Sequence, residues 1–233
     1  MSAERPRRVE RLAVQVPIRY IPADAEVAPS QAGWTRDLSE AGAALELNER
    51  LPVATRLKVW LFTEHGSLTV EGQVVWEAPA SGGAGGVLHG VAFTSLAAEQ
   101  VEGIRRLASP EREGRRAGPR LAFHHPITCQ LPGEQAETVA GETGNVSRGG
   151  LLLRLALALP PGSPIAFSLS APQGAITGAG EINWVGAAGG RTTGEPIRHG
   201  IHFTAMGWAH AWGLALLVTD PHEVSRPSNA TAP

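Results

Sequence analysis

The feature that most constrains this chain is an internal repeat. Residues 37–42 read DLSEAG, and residues 145–150, which begin 108 positions later, read NVSRGG. Each stretch places Asp or Asn first, Ser two positions on and Gly three further. The flanks also align, because RLAVQVPIRY from Arg11 matches RLAFHHPITC from Arg120, and HGVAFTSL matches HGIHFTAM. A repeat that extends through its flanks indicates two homologous units.

The repeat divides the 233 residues into two domains of ordinary size. We expect a first domain over residues 1–110 and a second over 111–225. Residues 226–233, RPSNATAP, are short and polar and are predicted to form a disordered tail.

Within the first copy, apolar residues alternate with other residues from Leu12 to Tyr20, which predicts a strand with one buried face. Turn residues such as ASGGAGG separate further candidates, and we expect strands at 43–47, 57–63, 68–77 and 87–93. The chain is therefore predicted to be mainly β, as barrels or sandwiches. Trp76 and Trp184, which align in the repeat, are interpreted as core residues.

Each copy is predicted to end in one amphipathic helix. In SLAAEQVEGIRRLA the apolar residues recur at helical spacing behind Ser95, a candidate N-cap. The corresponding helix of the second copy is expected at Trp208 to Val218.

Two arginines stand four positions apart before each copy, Arg7 with Arg11 and Arg116 with Arg120. In an extended segment such residues point the same way, so both guanidinium groups can close over one ligand. A guanidinium suits phosphate or the O6 and N7 edge of guanine. An Asx oxygen can accept from a purine N–H, a Ser hydroxyl can donate, and Gly permits close approach. These groups describe a site for a small anionic purine nucleotide.

The paired RxxxR and [DN]xSxxG motifs, in that order and ahead of a β-rich domain that ends in a helix, resemble the PilZ domain family, a bacterial receptor for cyclic di-GMP (c-di-GMP). The resemblance covers nearly the whole chain, twice. It implies two tandem six-stranded antiparallel β-barrels, each with a C-terminal α-helix, and an arginine-bearing arm that wraps over ligand held on the barrel surface.

The resemblance also implies the binding residues. In the first domain Arg7 and Arg11 would hold guanine and phosphate against a wall of Asp37, Ser39 and Gly42. In the second domain the matching residues are as follows: Arg116 and Arg120 on the arm, and Asn145, Ser147 and Gly150 on the wall.

An additional arginine just before the pair is associated in the family with a stacked ligand dimer. Arg115 fits that pattern, whereas Pro6 occupies the matching position of the first domain. Because Arg5 and Arg8 lie nearby, the stoichiometry of the two sites stays open.

Composition excludes several other classes of function. A net charge of −2, with 18% charged residues against roughly 25% in ordinary domains, gives no field that would recruit nucleic acid. The chain shows neither a membrane span nor a signal peptide, so we expect a cytoplasmic protein. Cys129 is the one cysteine and is interpreted as a strand residue. The histidines lack metal-ligand spacing and no catalytic constellation is found, so no metal, cofactor or enzymatic activity is expected.

The sequence analysis therefore predicts a c-di-GMP receptor in which ligand changes interdomain orientation or the binding of a downstream protein target. The segment SPEREGRRAGPR supports this, because it is both the linker and the second arm. The alternative is a ligand-independent interaction module for motility, secretion or exopolysaccharide regulation. The oligomeric state is left open.

Overall fold

The structure is a computed structural model of the chain. It describes residues 11–24, 29–80, 85–107, 118–131, 137–186 and 195–220.

The first six strands form a closed antiparallel barrel. Its strand order is β1, β2, β3, β6, β5 and β4, and β4 pairs with β1 to close the sheet. The strands are Pro17–Pro22 (β1), Gln31–Ser39 (β2), Gly42–Leu47 (β3), Arg56–Thr63 (β4), Gly66–Pro79 (β5) and Val87–Ser95 (β6).

The second barrel repeats this topology. Its order is β8, β9, β10, β13, β12 and β11, with β11 pairing back to β8, and the short strand β7 lies beside β9. The strands are Leu121–Ala122 (β7), Pro126–Leu131 (β8), Glu137–Ser147 (β9), Gly150–Leu155 (β10), Pro164–Leu169 (β11), Ile176–Val185 (β12) and Ile197–Ala205 (β13). The predicted fold class, two six-stranded barrels with a helix after each, is confirmed.

The alternation at the start of the first copy predicts burial correctly. Val14, Val16, Ile18 and Tyr20 are all buried. The regular strand β1 nevertheless begins only at Pro17, and Leu12 makes a single antiparallel bridge to Leu38 of β2.

Strand β2 carries half of the repeated motif, yet the pattern analysis does not find it. Residues 32–35 are all buried, so the strand shows no alternation of apolar and polar residues. A strand that is covered on both faces loses the period-two signal that identifies a half-buried strand.

Helix α1, Ala98–Leu107, follows the first barrel and buries Ile104 and Leu107. The proposed N-cap is wrong, because Ser95 is the last residue of β6. The side chain of Gln100 instead accepts a hydrogen bond from the Ala97 N–H, at 2.6 Å.

Helix α2, Trp208–Val218, has the predicted bounds but is not amphipathic. Apart from His210, its sequence WAHAWGLALLV is apolar on every side, and most of its residues from Ala211 to Val218 are buried. It packs on β12 of its own barrel and on β1 and β2 of the first. The two barrels therefore share this helix as their interface.

Polar contacts align the interface. The indole N–H of Trp34, which is 1% exposed, donates to the Ala211 carbonyl at 2.7 Å. The Arg19 guanidinium donates to Thr219 Oγ1 at 2.7 Å and to the Leu216 carbonyl at 2.9 Å. Ala32 and Trp34 of β2 belong to the same apolar cluster as the second barrel's core.

Trp76 and Trp184 do not lie in the barrel interiors, so their interpretation as core residues is wrong. They are 37% and 38% exposed, and each lies over a glycine of the neighbouring strand, Gly90 or Gly200. A Cβ on either glycine would come within 1.9 Å of the indole nitrogen. Cys129 is a buried strand residue, as expected, and burial raises the pKa of its thiol to about 11.

Each barrel has a buried histidine at the equivalent position, and its side chain accepts a hydrogen bond from the backbone. His89 and His199 are both 0% exposed. Their Nε2 atoms accept hydrogen bonds from the backbone N–H groups of Leu51 and Leu159, each at 3.0 Å. Burial lowers the pKa of both imidazoles, so the folded protein holds them neutral.

The histidine pair should make stability fall in mild acid. In the unfolded chain the imidazoles titrate near a pKa of about 6.5, so below that pH the unfolded state binds more protons than the folded state. Stability contributed by the pair is complete above about pH 6.5 and is lost as pH falls towards the lowered folded pKa values. Urea unfolding at pH 8 and pH 5.5 measures this loss. His89→Gln/His199→Gln should show a smaller loss than the wild type, and an equal loss in both proteins would contradict the assignment.

Candidate functional site

Each repeated [DN]xSxxG motif forms a tight hairpin. The first spans the turn from β2 to β3 and the second the turn from β9 to β10. Ser39 pairs with Gly42, and Ser147 pairs with Gly150. The serine hydroxyls donate to the carbonyls of these glycines at 3.1 and 3.2 Å. The motif serines therefore fasten their own turns.

The motif glycines are required by the neighbouring strand. A Cβ on Gly42 would lie 2.2 Å from the Val91 carbonyl oxygen, and one on Gly150 would lie 2.1 Å from that of Ile201. Because these obstacles are backbone atoms, no side chain can move aside to admit the methyl group. The fold alone explains both glycines.

In each copy a buried threonine of the hairpin binds the segment that leads into the barrel, at residues 14–16 in the first copy and 123–125 in the second. Thr35 Oγ1 donates to the Val14 carbonyl and accepts from the Val16 N–H. In the second copy Thr143 Oγ1 donates to the Phe123 carbonyl and accepts from the His125 N–H. Both threonines are 0% exposed and stand two positions before the motif Asx. The repeat contains this signal, but the sequence analysis did not use it.

The segment that leads into the first barrel brings Arg11 into direct contact with Asp37, a residue predicted to form the opposite wall of the ligand site. Leu12 and Leu38 exchange two backbone hydrogen bonds, at 3.1 and 3.0 Å, which places Arg11 beside Asp37. Arg11 Nη1 lies 3.2 Å from Asp37 Oδ1. The same oxygen accepts from the Ala44 N–H at 3.1 Å. Asp37 is therefore occupied by its own hairpin and arm.

In the second barrel Arg120 and the hairpin line a pocket of about 260 Å³. Ser147 and Gly150 of the predicted wall lie in it, together with residues that the motifs do not include. These are Gln15, Gly118, Arg148, Gly149, Asn183, Ile201 and His202. Two arginines and several amide or imidazole groups thus surround one cavity, and none of the described residues that line it is acidic.

Arg148 and Gln15 connect this pocket to the first barrel. The Arg148 guanidinium lies over the Trp34 ring, 5.9 Å from its centroid. Burial lowers the pKa of Arg148, and nearby Glu46 opposes that shift. Gln15 belongs to the segment that enters the first barrel, and its carbonyl oxygen would be 2.1 Å from a Cβ on Gly118. Sequence reasoning missed both residues because their contacts cross between the copies.

Three predicted arginines, Arg7, Arg115 and Arg116, lie outside the described residues, as do Arg5, Pro6 and Arg8. Asn145 pairs with Ala122 of β7, which directly follows the arm. Its Oδ1 atom is buried and accepts no hydrogen bond from the described part of the chain.

A larger depression of about 590 Å³ lies on another face of the second barrel, with Thr128, Phe167 and His210 among its lining residues. None of its described lining residues is arginine or lysine, the cations that suit an anionic ligand.

Other classes of site receive no support from the described residues. Within them, no group of three or more His, Cys, Asp or Glu side chains is arranged to hold a metal ion. Neither α1 nor α2 has the length and apolar character needed to cross a membrane.

The fold and pocket thus define a duplicated small-barrel protein, with an arginine-bearing arm that meets a hairpin motif. The PilZ domain family model matches residues 5–109 and 114–207, so the chain belongs to the PilZ domain family. No curated protein sequence matches the chain.

Several solved structures are similar to this chain at low identity. PlzA of Borreliella burgdorferi, in complex with c-di-GMP, shares 12% identity, with a TM-score of 0.42 over 89% of this chain and 93% of PlzA. The PilZ domain of YcgR from Escherichia coli, with c-di-GMP, shares 17% identity, with a TM-score of 0.40 over 48% of this chain and 95% of that domain. The MrkH–c-di-GMP complex of K. pneumonia shares 12% identity, with a TM-score of 0.36 over 87% of this chain and 85% of MrkH. Family membership rests on the sequence match.

The motif glycine and its neighbour provide a matched test of the hairpin. Gly150→Ala should destabilise the protein by about 1–3 kcal/mol, because the methyl group meets backbone across the sheet. Gly149→Ala should stay within about 0.5 kcal/mol, since its Cβ meets nothing within 4 Å and the first copy has Ala41 in that place. Urea unfolding without ligand measures both. Equal effects would contradict the structural role of Gly150.

Proposed function

We propose that this protein is a receptor for c-di-GMP and that the pocket of the second barrel holds the ligand. The observation that carries the proposal is that Arg120 of the arm lines one cavity with Ser147 and Gly150 of the hairpin. Membership of the PilZ family supports the choice of ligand. The role is binding and signalling rather than catalysis.

The lining residues suit the ligand's chemistry. Arg120 and Arg148 can donate charge-assisted hydrogen bonds to phosphate, and an arginine fork also fits the O6 and N7 edge of guanine. The side chains of Asn183, Gln15 and His202 offer further donors and acceptors for a purine edge. Because none of the lining residues within the described ranges is acidic, an anion meets no repulsion from them.

The described cavity is smaller than the roughly 300–1,000 Å³ usual for a drug-sized ligand. We therefore assign to it one guanosine phosphate half of c-di-GMP. Arg115 and Arg116, which precede the pocket residue Gly118 by three and two positions, would bind the rest of the ligand. Domain limits at 110 and 111 remain part of this proposal. The corresponding first site, at Arg7, Arg11, Asp37, Ser39 and Gly42, stays a prediction from the sequence.

Ligand in this pocket would contact both barrels. Gln15 comes from the first barrel's entering segment, and Arg148 lies over Trp34 of the first barrel. A phosphate that draws Arg148 towards the pocket competes with this interbarrel contact. Because a ligand shifts a conformational equilibrium only through differential contacts, we propose that binding changes the orientation of the barrels or the surface offered to a partner protein.

Binding is tested by titration calorimetry and thermal unfolding with c-di-GMP. At 100 times its dissociation constant, a ligand that binds only the folded state stabilises it by about 2.7 kcal/mol. Arg120→Ala removes one charged hydrogen-bond donor, worth roughly 1.5–3 kcal/mol, so affinity should fall about 10-fold to 150-fold.

Arg106→Ala, on the exposed surface of α1, is the matched control and should bind as the wild type does. A wild type without binding heat or thermal shift would favour the rival function, a ligand-independent interaction module. If the Arg120 and Arg106 variants bind c-di-GMP with equal affinity, the ligand does not bind in this pocket, although the protein would still be a c-di-GMP receptor.

Reorientation is tested by small-angle scattering of the full chain with and without saturating c-di-GMP. We expect a change in the scattering curve, because ligand engages residues on both sides of the interface. Calorimetry establishes the ligand concentration that saturates the protein. If the scattering curves at that concentration superimpose on those without ligand, the protein binds c-di-GMP but the barrels do not change orientation.

A further inference from the structure

The two barrels allow a residue-by-residue comparison of their hairpin surfaces. Strand pairing sets the equivalences: Gly42 pairs with Ala92, and Gly150 pairs with His202. Val75 and Asn183 each lie at the β-bulge beside the exposed tryptophan of their barrel. Glu40 and Arg148 are each the first residue of the two-residue turn that follows the motif serine.

At these three equivalent positions the barrels differ in chemistry. The second barrel has Arg148, Asn183 and His202, all of which line the pocket. The first barrel has, in the same order, Glu40, Val75 and Ala92. A cation and two hydrogen-bonding groups are thus replaced by an anion and two apolar groups. Val75 is 48% exposed, so its place on the surface is apolar.

The charged groups at the first hairpin are also engaged with each other. Glu40 accepts from Arg105 of α1 at 2.7 Å, and this contact lowers the pKa of the Glu40 carboxyl. Arg11 lies 3.2 Å from Asp37. Exposed ion pairs are weak, so neither pair alone would exclude a ligand. The decisive difference is that an arriving phosphate would meet the Glu40 carboxylate where the second barrel offers the Arg148 guanidinium.

The Asx residues of the two motifs differ in the same direction. Asp37 Oδ1 has two partners, Arg11 and the Ala44 N–H. Asn145 is neutral, and its buried Oδ1 has no hydrogen-bond partner among the described residues. Asn145 is not among the described residues that line the pocket, so the difference between the two Asx residues shows only that the first hairpin satisfies its own Asx oxygen.

We propose that c-di-GMP binds only to the second barrel. Its binding residues then include Arg148, Asn183 and His202, which lie outside the repeated motifs. The first barrel's copy of the motif stabilises the fold and binds no ligand. This inference rests on the proposed function. It assigns all bound ligand to one barrel, although the sequence predicts two sites.

The first test separates one binding barrel from two. Calorimetry of the wild-type chain should show a single class of site, and Arg120→Ala/Arg148→Glu should abolish saturable binding. If saturable binding persists in this variant at about half of the wild-type stoichiometry, the first barrel binds and the inference is overturned. If the wild type binds nothing, the proposed function fails and the inference with it.

The second test uses equivalent positions of the two barrels as matched pairs. Asn183→Ala and His202→Ala, both at exposed residues, should each weaken binding about 2-fold to 10-fold, and Arg148→Ala about 10-fold or more. Val75→Ala and Glu40→Ala, their counterparts in the first barrel, should leave affinity within about 2-fold.

Thermal unfolding without ligand shows whether Arg148→Ala disturbs the contact with Trp34. Because Asn183 and His202 are not part of that contact, their variants decide the question even if Arg148→Ala is unstable. Unchanged affinity in both would overturn their assignment. Weaker binding in the Val75 and Glu40 variants would place ligand on the first barrel and overturn the inference.

Discussion

The architecture depends on one apolar helix that is buried between two barrels. Helix α2 packs on β12 of its own barrel and covers β1 and β2 of the other. Apolar burial drives the association, and the hydrogen bonds of Trp34 and Arg19 to the helix backbone and Thr219 select its orientation. Because the helix holds the barrels together, Gln15 of one barrel reaches the pocket of the other. The pocket is lined by residues of both barrels because of this interface.

The repeat separates two kinds of residue. The residues that the copies share hold the scaffold: a threonine anchors the arm, a serine fastens the turn, a glycine admits the neighbouring strand and a histidine braces a loop. In the second copy these residues are Thr143, Ser147, Gly150 and His199. Three positions that differ in chemistry between the copies lie around the hairpin: Glu40, Val75 and Ala92 in the first copy, and Arg148, Asn183 and His202 in the second. A duplicated barrel can therefore keep its structure while its two surfaces acquire different chemistry.

This separation changes how the motif is interpreted. Ser147 and Gly150 look like ligand-binding residues in the sequence, yet each has a complete structural role. Arg148 stands between them in the chain and belongs to no motif, although it joins the pocket to Trp34. Motif residues position the turn, and the variable residue within the turn supplies charge. Substitutions at the glycine accordingly report on folding before they report on binding.

Much of the fold could be predicted because its signals are local. Alternation identified the buried face from Val14 to Tyr20, and the repeat carried that assignment to the second barrel. Strand β2 was missed because α2 covers its outer face and removes the alternation. Trp76 was taken for a core residue because hydropathy does not tell which side of a strand faces the barrel interior. A glycine on the next strand provides the shallow surface on which it lies.

By itself, the sequence determined that the chain contains two PilZ barrels, where each motif lies and which arginines precede it, because short-range patterns and a repeat encode such features. Only the tertiary structure decided that α2 serves both barrels and that Gln15, Asn183 and His202 meet Arg120 around one pocket. These residues are far apart in the chain, and their proximity depends on strand pairing and on burial between the barrels. No local pattern records those contacts, because they form only when the two halves pack together.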